Sequence, residues 1–333
     1  METKIDEQLA EQNVSADNSN SASVMGASTS SESAASGAIS TEKKKRRRGD
    51  RKDGRLIRSL APMNRVALYI MPDRSGASVY FHDSFEITEV ENYINKKRKQ
   101  GLKGFGMMHV ILASYVRVIS QRPAVNRFLS GQKLFARDDD IQVLLTIKRE
   151  MTLEAEETII KMHFTPTDTA DQVYEKINKL LQESRAESAD TEFDKTANII
   201  SHIPGVLLKF SIWFLKLIDY FGLLPASLLE VSPFHGSFFI TSMGSLGIPP
   251  VYHHLYDFGN IPAFMSFGAK RKQNEVRQDG TIATHKYIDF TVVCDERICD
   301  GFYYASAFKL MRNYMRNPHQ LDDPPAQVIR DVD

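Results

Sequence analysis

The chain has 333 residues, a formal net charge of zero and 42 % hydrophobic residues, the composition of a globular protein. No charge imbalance points to nucleic acid, and no sequence-specific nucleic-acid binding is expected. The length has room for two domains. Residues 1–42 are rich in Ser, Ala, Glu and Asn with almost no large apolar side chains, so burial cannot offset chain entropy there and disorder is expected. The polar N-terminus lacks the apolar run of a secretory signal, and a cytoplasmic location is expected. Residues 43–58 carry ten basic side chains, opening Lys-Lys-Lys-Arg-Arg-Arg. They read as a solvated basic arm, independent of the core, with docking to an acidic partner, to RNA or DNA, or to an anionic membrane surface as the alternatives. No aromatic residue interleaves these charges, so no base-stacking platform is formed.

Ordered sequence begins near residue 59. Residues 59–75 predict a short helix between two prolines. Residues 79–87 predict a strand, and Thr88-Glu-Val-Glu91 is a capping box that opens a helix with Val90, Tyr93 and Ile94 in phase. Residues 105–119 are apolar nearly all round, the pattern of a buried helix. A Gln-Arg-Pro turn at 121–123 leads to a strand at 134–136. Residues 141–147 and 158–164 read as strands on either side of a turn at 151–157, and 169–187 as an amphipathic helix. Residues 196–232 hold two apolar helical stretches, 199–208 and 210–221, broken at Ile203-Pro204-Gly205 and containing the single tryptophan, Trp213. They would form a helical hairpin over the core, a wall of an apolar cleft, or a membrane-surface element; Lys209, Lys216, Asp219 and Pro225 exclude a spanning helix. A strand at 264–269 and a charged hairpin loop at 270–280 follow. A closing helix at 302–316 precedes a loose tail, 321–333.

Two segments carry chemistry. Residues 291–301 read Thr-Val-Val-Cys-Asp-Glu-Arg-Ile-Cys-Asp-Gly, a strand running into a charged turn that precedes a helix. Residues 236–247 read Gly-Ser-Phe-Phe-Ile-Thr-Ser-Met-Gly-Ser-Leu-Gly. No metal-ligand spacing, phosphate loop or Ser-His-Asp order is present. Cys294 and Cys299 flank the turn too awkwardly for a bridge and read as two free thiols, small buried hydrophobes before nucleophiles, as in a reducing compartment.

The first segment resembles the His-x-x-x-Asp-Gly active-site turn of chloramphenicol acetyltransferase and of the catalytic domain of the 2-oxo acid dehydrogenase acyltransferases. Asp300 and Gly301 fall on the Asp-Gly pair, and Arg297 on the arginine after the histidine in the dehydrogenase branch. The second segment aligns without gaps on that branch's Gly-Thr-Phe-Thr-Ile-Ser-Asn-Leu-Gly. Asn260, Ile261 and Pro262 match an Asn-Pro-Pro region, and Arg65 an arginine near the domain start. With the order of elements, the resemblance covers about 60–320. It implies an α/β fold, the chloramphenicol acetyltransferase-like two-layer sandwich on a mixed sheet with helices on one face. It also implies three regions: a tail 1–58, a catalytic domain 59–320 and a tail 321–333. Neither a lipoyl nor a peripheral-subunit-binding domain fits residues 1–58.

The same resemblance implies a reaction: acyl transfer between CoA, as acyl-CoA co-substrate, and a small alcohol or thiol acceptor. The site would lie between subunits of a homotrimer, with no metal. Thr241 falls on the serine whose hydroxyl holds the oxyanion, and Asp300 with Arg65 on an orienting ion pair. At the position of the catalytic histidine stands Glu296. An ordinary Glu has a pKa near 4.3, a weaker base than His at about 6.5, and burial in an apolar channel would be needed to raise it toward 6–7. His253 and His254, in the loop after the Thr241 strand, are the alternative imidazoles. Two readings follow: an acyltransferase that uses Glu296 or a relocated histidine, or a catalytically silent trimeric scaffold of the same fold.

Overall fold

The computed structural model describes residues 46–148, 157–186 and 202–333. The expected disorder of 1–42, the turn at 151–157 (its last residue excepted) and the start of the 199–208 stretch lie outside the described residues. The strands are β1 (Arg55–Leu56), β2 (Ser78–Glu86), β3 (Arg127–Ser130), β4 (Lys133–Ala136), β5 (Ile141–Lys148), β6 (Glu157–Phe164), β7 (Phe238–Ser242), β8 (Ala263–Val276) and β9 (Ile282–Asp295). The helices are α1 (Pro62–Ile70), α2 (Thr88–Lys99), α3 (Met107–Gln121), α4 (Ala170–Ala186), α5 (Gly205–Tyr220), α6 (Ala226–Val231) and α7 (Gly301–Arg316).

Six strands form one mixed sheet in the order β2-β9-β8-β7-β5-β6, and β1-β4-β3 form a small antiparallel sheet beside it. In the large sheet β7 is parallel to both β5 and β8, and the other pairs are antiparallel. The pleat sorts side chains between two faces. Phe238, Ile240, Met265, Val292 and Cys294 face the main core, shared with α2, α3, α4 and α7. Phe239, Phe264, Val293 and Leu144 face the other way, where Leu255 and Ile261 of the loop before β8 cover them. A helix layer on one face and a loop on the other is the two-layer α/β sandwich that the sequence predicts. Helix α3 is buried at every position from His109 to Ser120, because it lies between the sheet and its neighbouring helices.

Several local readings change. Ile87, not Thr88, is the residue before α2, and no side chain caps it; the Thr88 N–H goes to Glu86 Oε1 at 3.1 Å. Ile87 is fully buried, which turns the chain one residue earlier than the capping box predicts. The charged stretch 270–280 is mostly strand: Lys270–Val276 pairs with Ile282–Ile288 as a two-stranded ribbon. Both faces of that ribbon are largely solvated, so its composition reads like a loop. Ile203-Pro204-Gly205 does not break two helices in the described chain but starts one, α5, with Pro204 as its N-cap.

The two tails are also corrected. The basic stretch is not an independent arm from residue 43 to 58, since the compact unit begins at Arg46. Arg51 is buried and donates to Asp53 at 2.9 Å and to Asp219 Oδ1 of α5 at 2.7 Å. Burial works against these charges, but the mutual attraction wins: Arg51 is raised, and Asp53 and Asp219 are held below the ordinary carboxyl range. β1 pairs with β4, and Ile57 enters the core. At the other end Asp331 accepts both arms of Arg127 at 2.7 and 2.5 Å, the Ile329 N–H reaches the Ser120 carbonyl at 2.8 Å, and Leu321 is buried. Local polarity hides such packing because each charge has a distant partner. Deleting residues 1–44 should therefore leave folding intact. Deleting 1–58 should cost about 3–5 kcal/mol for breaking the buried Arg51–Asp219 pair, which leaves Asp219 with His235 alone at 3.4 Å, read as a lower denaturation midpoint or lost soluble protein.

Candidate functional site

Thr241 lies on β7 in a row that crosses the sheet: it pairs with Ser266 of β8, which pairs with Thr291 of β9, which pairs with His82 of β2. The row is on the loop-covered face. Ser266 Oγ accepts from the Val251 N–H at 3.2 Å, and Thr291 Oγ1 donates to the Val251 carbonyl at 2.6 Å, so both hydroxyls pin the loop down. Thr241 is buried, yet its hydroxyl makes no hydrogen bond among the described residues. β7 is seated by its first turn. A Cβ on Gly236 would meet Leu144 Cδ1 at 2.3 Å, so a larger residue there would have to displace the buried Leu144 side chain. The Gly236 N–H goes to Asn260 Oδ1 at 3.1 Å, which also receives Arg137 Nη2 at 2.8 Å. Asn260 is fully buried, and its amide donates to Asp53 at 3.1 Å.

The turn after β9 is held by its own acid and base. Asp295 is fully buried and accepts Arg297 Nε at 2.8 Å and Nη2 at 2.7 Å, a bidentate pair, with Arg74 Nε at 3.5 Å. The second arm of Arg297 donates to the Met71 and Pro72 carbonyls. Tyr304 of α7 donates to the Asp295 carbonyl at 3.0 Å, which closes the turn onto the helix. This Asp295–Arg297–Arg74 cluster went unread in the sequence; its only signal is the Asp-x-Arg spacing.

The predicted orienting pair does not form within the protomer. Asp300 is exposed and is the N-cap of α7, accepting the Tyr303 N–H at 2.7 Å. Arg65 is exposed on α1 and donates to the Arg58 carbonyl at 2.6 Å. A Cβ on Gly301 would meet nothing within 4 Å, so steric crowding in the protomer does not explain that glycine. Glu296 is exposed; its N–H donates to the Ala77 carbonyl at 3.0 Å, and its carboxylate makes no hydrogen bond among the described residues.

Thr241 and Glu296 do not meet in one chain. Two strand spacings of about 4.8 Å across the sheet and five residues of about 3.4 Å along β9 separate them by roughly 20 Å. The apolar channel that would make Glu296 a better base is not formed by one protomer. Besides His82 at the end of the row, the Thr241 face carries His253 of the covering loop. It stacks on Phe264 with ring centroids 4.0 Å apart, one pleat from the Thr241 row, and Phe264 in turn stacks on Phe239. Burial pushes its pKa down, so it is neutral at physiological pH, and Nε2 has no partner among the described residues. With His254, Tyr80 and Tyr252 it lines an open depression of about 360 Å³.

Neither cysteine is a nucleophile here. Both thiols are free and buried. Burial raises Cys294 well above the ordinary thiol range and Cys299 to about 12, and the Cys299 thiol donates to the Ala124 carbonyl. Among the described residues no cluster of three or more His, Cys, Asp or Glu could hold a metal ion.

No family model and no curated protein matches the sequence. Solved structures do match. A probable dihydrolipoamide acetyltransferase from Listeria monocytogenes is 13 % identical with a TM-score of 0.51, over 78 % of this chain and 95 % of that one. The Azotobacter vinelandii dihydrolipoamide acetyltransferase is 14 % identical with a TM-score of 0.50, over 78 % of this chain and 88 % of that one. At such identity the likeness speaks for the fold alone. The chain therefore has the α/β fold of the dihydrolipoamide acyltransferase catalytic domain.

Proposed function

We propose that the protein transfers an acyl group between CoA and a small alcohol or thiol acceptor, at a site shared between copies of a homotrimer. The observation that carries this reading is the Thr241 hydroxyl: it stands on a buried residue of β7 and has no hydrogen-bond partner among the described residues, so it is free to donate to an oxyanion. Glu296 is the first candidate for the base that takes the acceptor's proton. Since it lies roughly 20 Å from Thr241 of its own chain, the pair can act together only if a neighbouring copy supplies one of them. In that assembly Asp300 and Arg65, unpaired with each other in the protomer, would be available to partners across the interface. His253 is the second candidate base.

Light scattering on the purified protein should give a mass near three chains. A panel of acyl-CoAs, followed by release of the CoA thiol, should show turnover with at least one of them. A stable monomer at micromolar concentration that still turned over acyl-CoA would overturn the shared site. The exposed Glu296 carboxylate favours a second reading, a silent scaffold of the same fold. That reading predicts trimers that bind or ignore acyl-CoA but never release thiol.

A further inference from the structure

Helix α5 inverts the usual arrangement of a surface helix. Val206 is 88 % exposed, Phe210 58 % and Trp213 55 %, and Leu207, Phe214 and Leu217 are exposed beside them. At 100° per residue these six side chains fall within an arc of about 120°, the width of a core-facing stripe, yet the stripe faces outward. The inward side is partly buried and ends in the buried Asp219, which is held by Arg51. Of the three readings of this stretch, a hairpin over the core does not fit α5: it is anchored at its C-terminal end, and no described residue of the protomer covers its apolar face. The two other charges of the helix, Lys209 and Lys216, are exposed and stand seven residues apart along one border of the stripe. Its single acid is the one turned inward. Exposed Arg46 and Arg48 precede Arg51 by five and three residues, which adds cations near the anchored end, while Arg47 between them pairs with Asp333.

We propose that α5 docks in the plane of a bilayer surface that carries anionic headgroups. The aromatic and aliphatic stripe would enter the headgroup–acyl boundary, while Lys209 and Lys216 extend along its border to the phosphates. Charge complementarity selects this occupant. A second copy of the same helix would bring lysines against lysines with no acid on the contacting face, whereas an anionic lipid surface meets every exposed charge of the helix with its opposite. Among the described residues no helix is long and apolar enough to cross a membrane, so the contact is peripheral. This inference goes beyond the acyl-transfer reading and does not rest on it.

Trp213 is the only tryptophan, so its emission reports on this face alone. In the full-length, lipid-free protein it should emit near the wavelength of a water-exposed indole. Phosphatidylcholine–phosphatidylglycerol vesicles should shift it to the blue and carry the protein into the vesicle fraction, and pure phosphatidylcholine vesicles should do so much more weakly. The double variant Lys209→Gln, Lys216→Gln should bind the mixed vesicles about 30-fold more weakly, at about 1 kcal/mol per lysine. Phe210→Ser with Phe214→Ser should abolish the shift while far-ultraviolet circular dichroism stays unchanged, because both side chains are exposed. No response to either vesicle would overturn the proposal. So would emission that is already blue-shifted without lipid and moves to the red on dilution, which would assign the face to self-association.

Discussion

Replacing Glu296 by Gln should lower acyl-CoA turnover by about 10²–10⁴-fold, the usual worth of a positioned general base, because an amide cannot accept the acceptor's proton. Thr241→Val should lower it by about 10²–10³-fold while Thr241→Ser retains most of it, since serine keeps the hydroxyl that valine, nearly isosteric with threonine, lacks. Both positions tolerate these changes sterically: the Glu296 side chain is exposed and Thr241 makes no hydrogen bond to break. The acyl-CoA substrate found by the panel serves for the measurement, with thiol release as readout and the trimer mass as control for assembly. If the shared site is correct, mixing Glu296→Gln chains with Thr241→Val chains should restore part of the activity, because some interfaces then pair an intact Thr241 with an intact Glu296. No restoration in verified mixed trimers would place both groups' action within one chain, against the geometry. Full activity in Glu296→Gln together with loss in His253→Gln would move the base to His253. Full activity in every one of these variants would place the chemistry at other residues, and only a wild-type protein that turns over no acyl-CoA of the panel would leave the silent scaffold.

Asp295→Ala should destabilise the fold by about 3–5 kcal/mol, and Asp300→Ala by only about 1 kcal/mol. The contrast separates two acids five residues apart on one turn. Asp295 is fully buried and neutralises Arg297 through two hydrogen bonds with Arg74 close by, so removing it leaves two guanidinium groups buried without a carboxylate. Asp300 is exposed and contributes one capping hydrogen bond to α7. Urea denaturation monitored by circular dichroism, at equal protein concentration, would measure both. The substitution Asp295→Ala combined with Arg297→Met should recover part of the loss by removing one orphaned charge with it. Equal costs for Asp295→Ala and Asp300→Ala would mean that the buried Asp295 cluster does not hold the turn more firmly than the exposed cap.

Most of the element order was legible in the sequence because it depends on periodicity and on local signals, and the fold class followed from the resemblance that the two matched segments carry. The all-round apolar run at α3, the alternation at β5 and β6, and the Asp-Gly start of α7 are each legible within a dozen residues. The segment that holds Thr241 was legible through its gap-free match to the family's segment. What only the tertiary structure decided are the partnerships of charges far apart in the chain. Arg51 looked like part of a solvated arm until Asp219, more than 160 residues away, was found against it. Asp331 looked like loose tail until Arg127 was found beside it. Asp300 and Arg65 looked like an ion pair, and the protomer instead spends one on a helix cap and the other on a backbone carbonyl. The uncovered face of α5 was hidden in the same way: an apolar stripe of helical period is identical in sequence whether it faces a core, a bilayer or water, and only the position of its single inward acid, Asp219, shows which way it is turned.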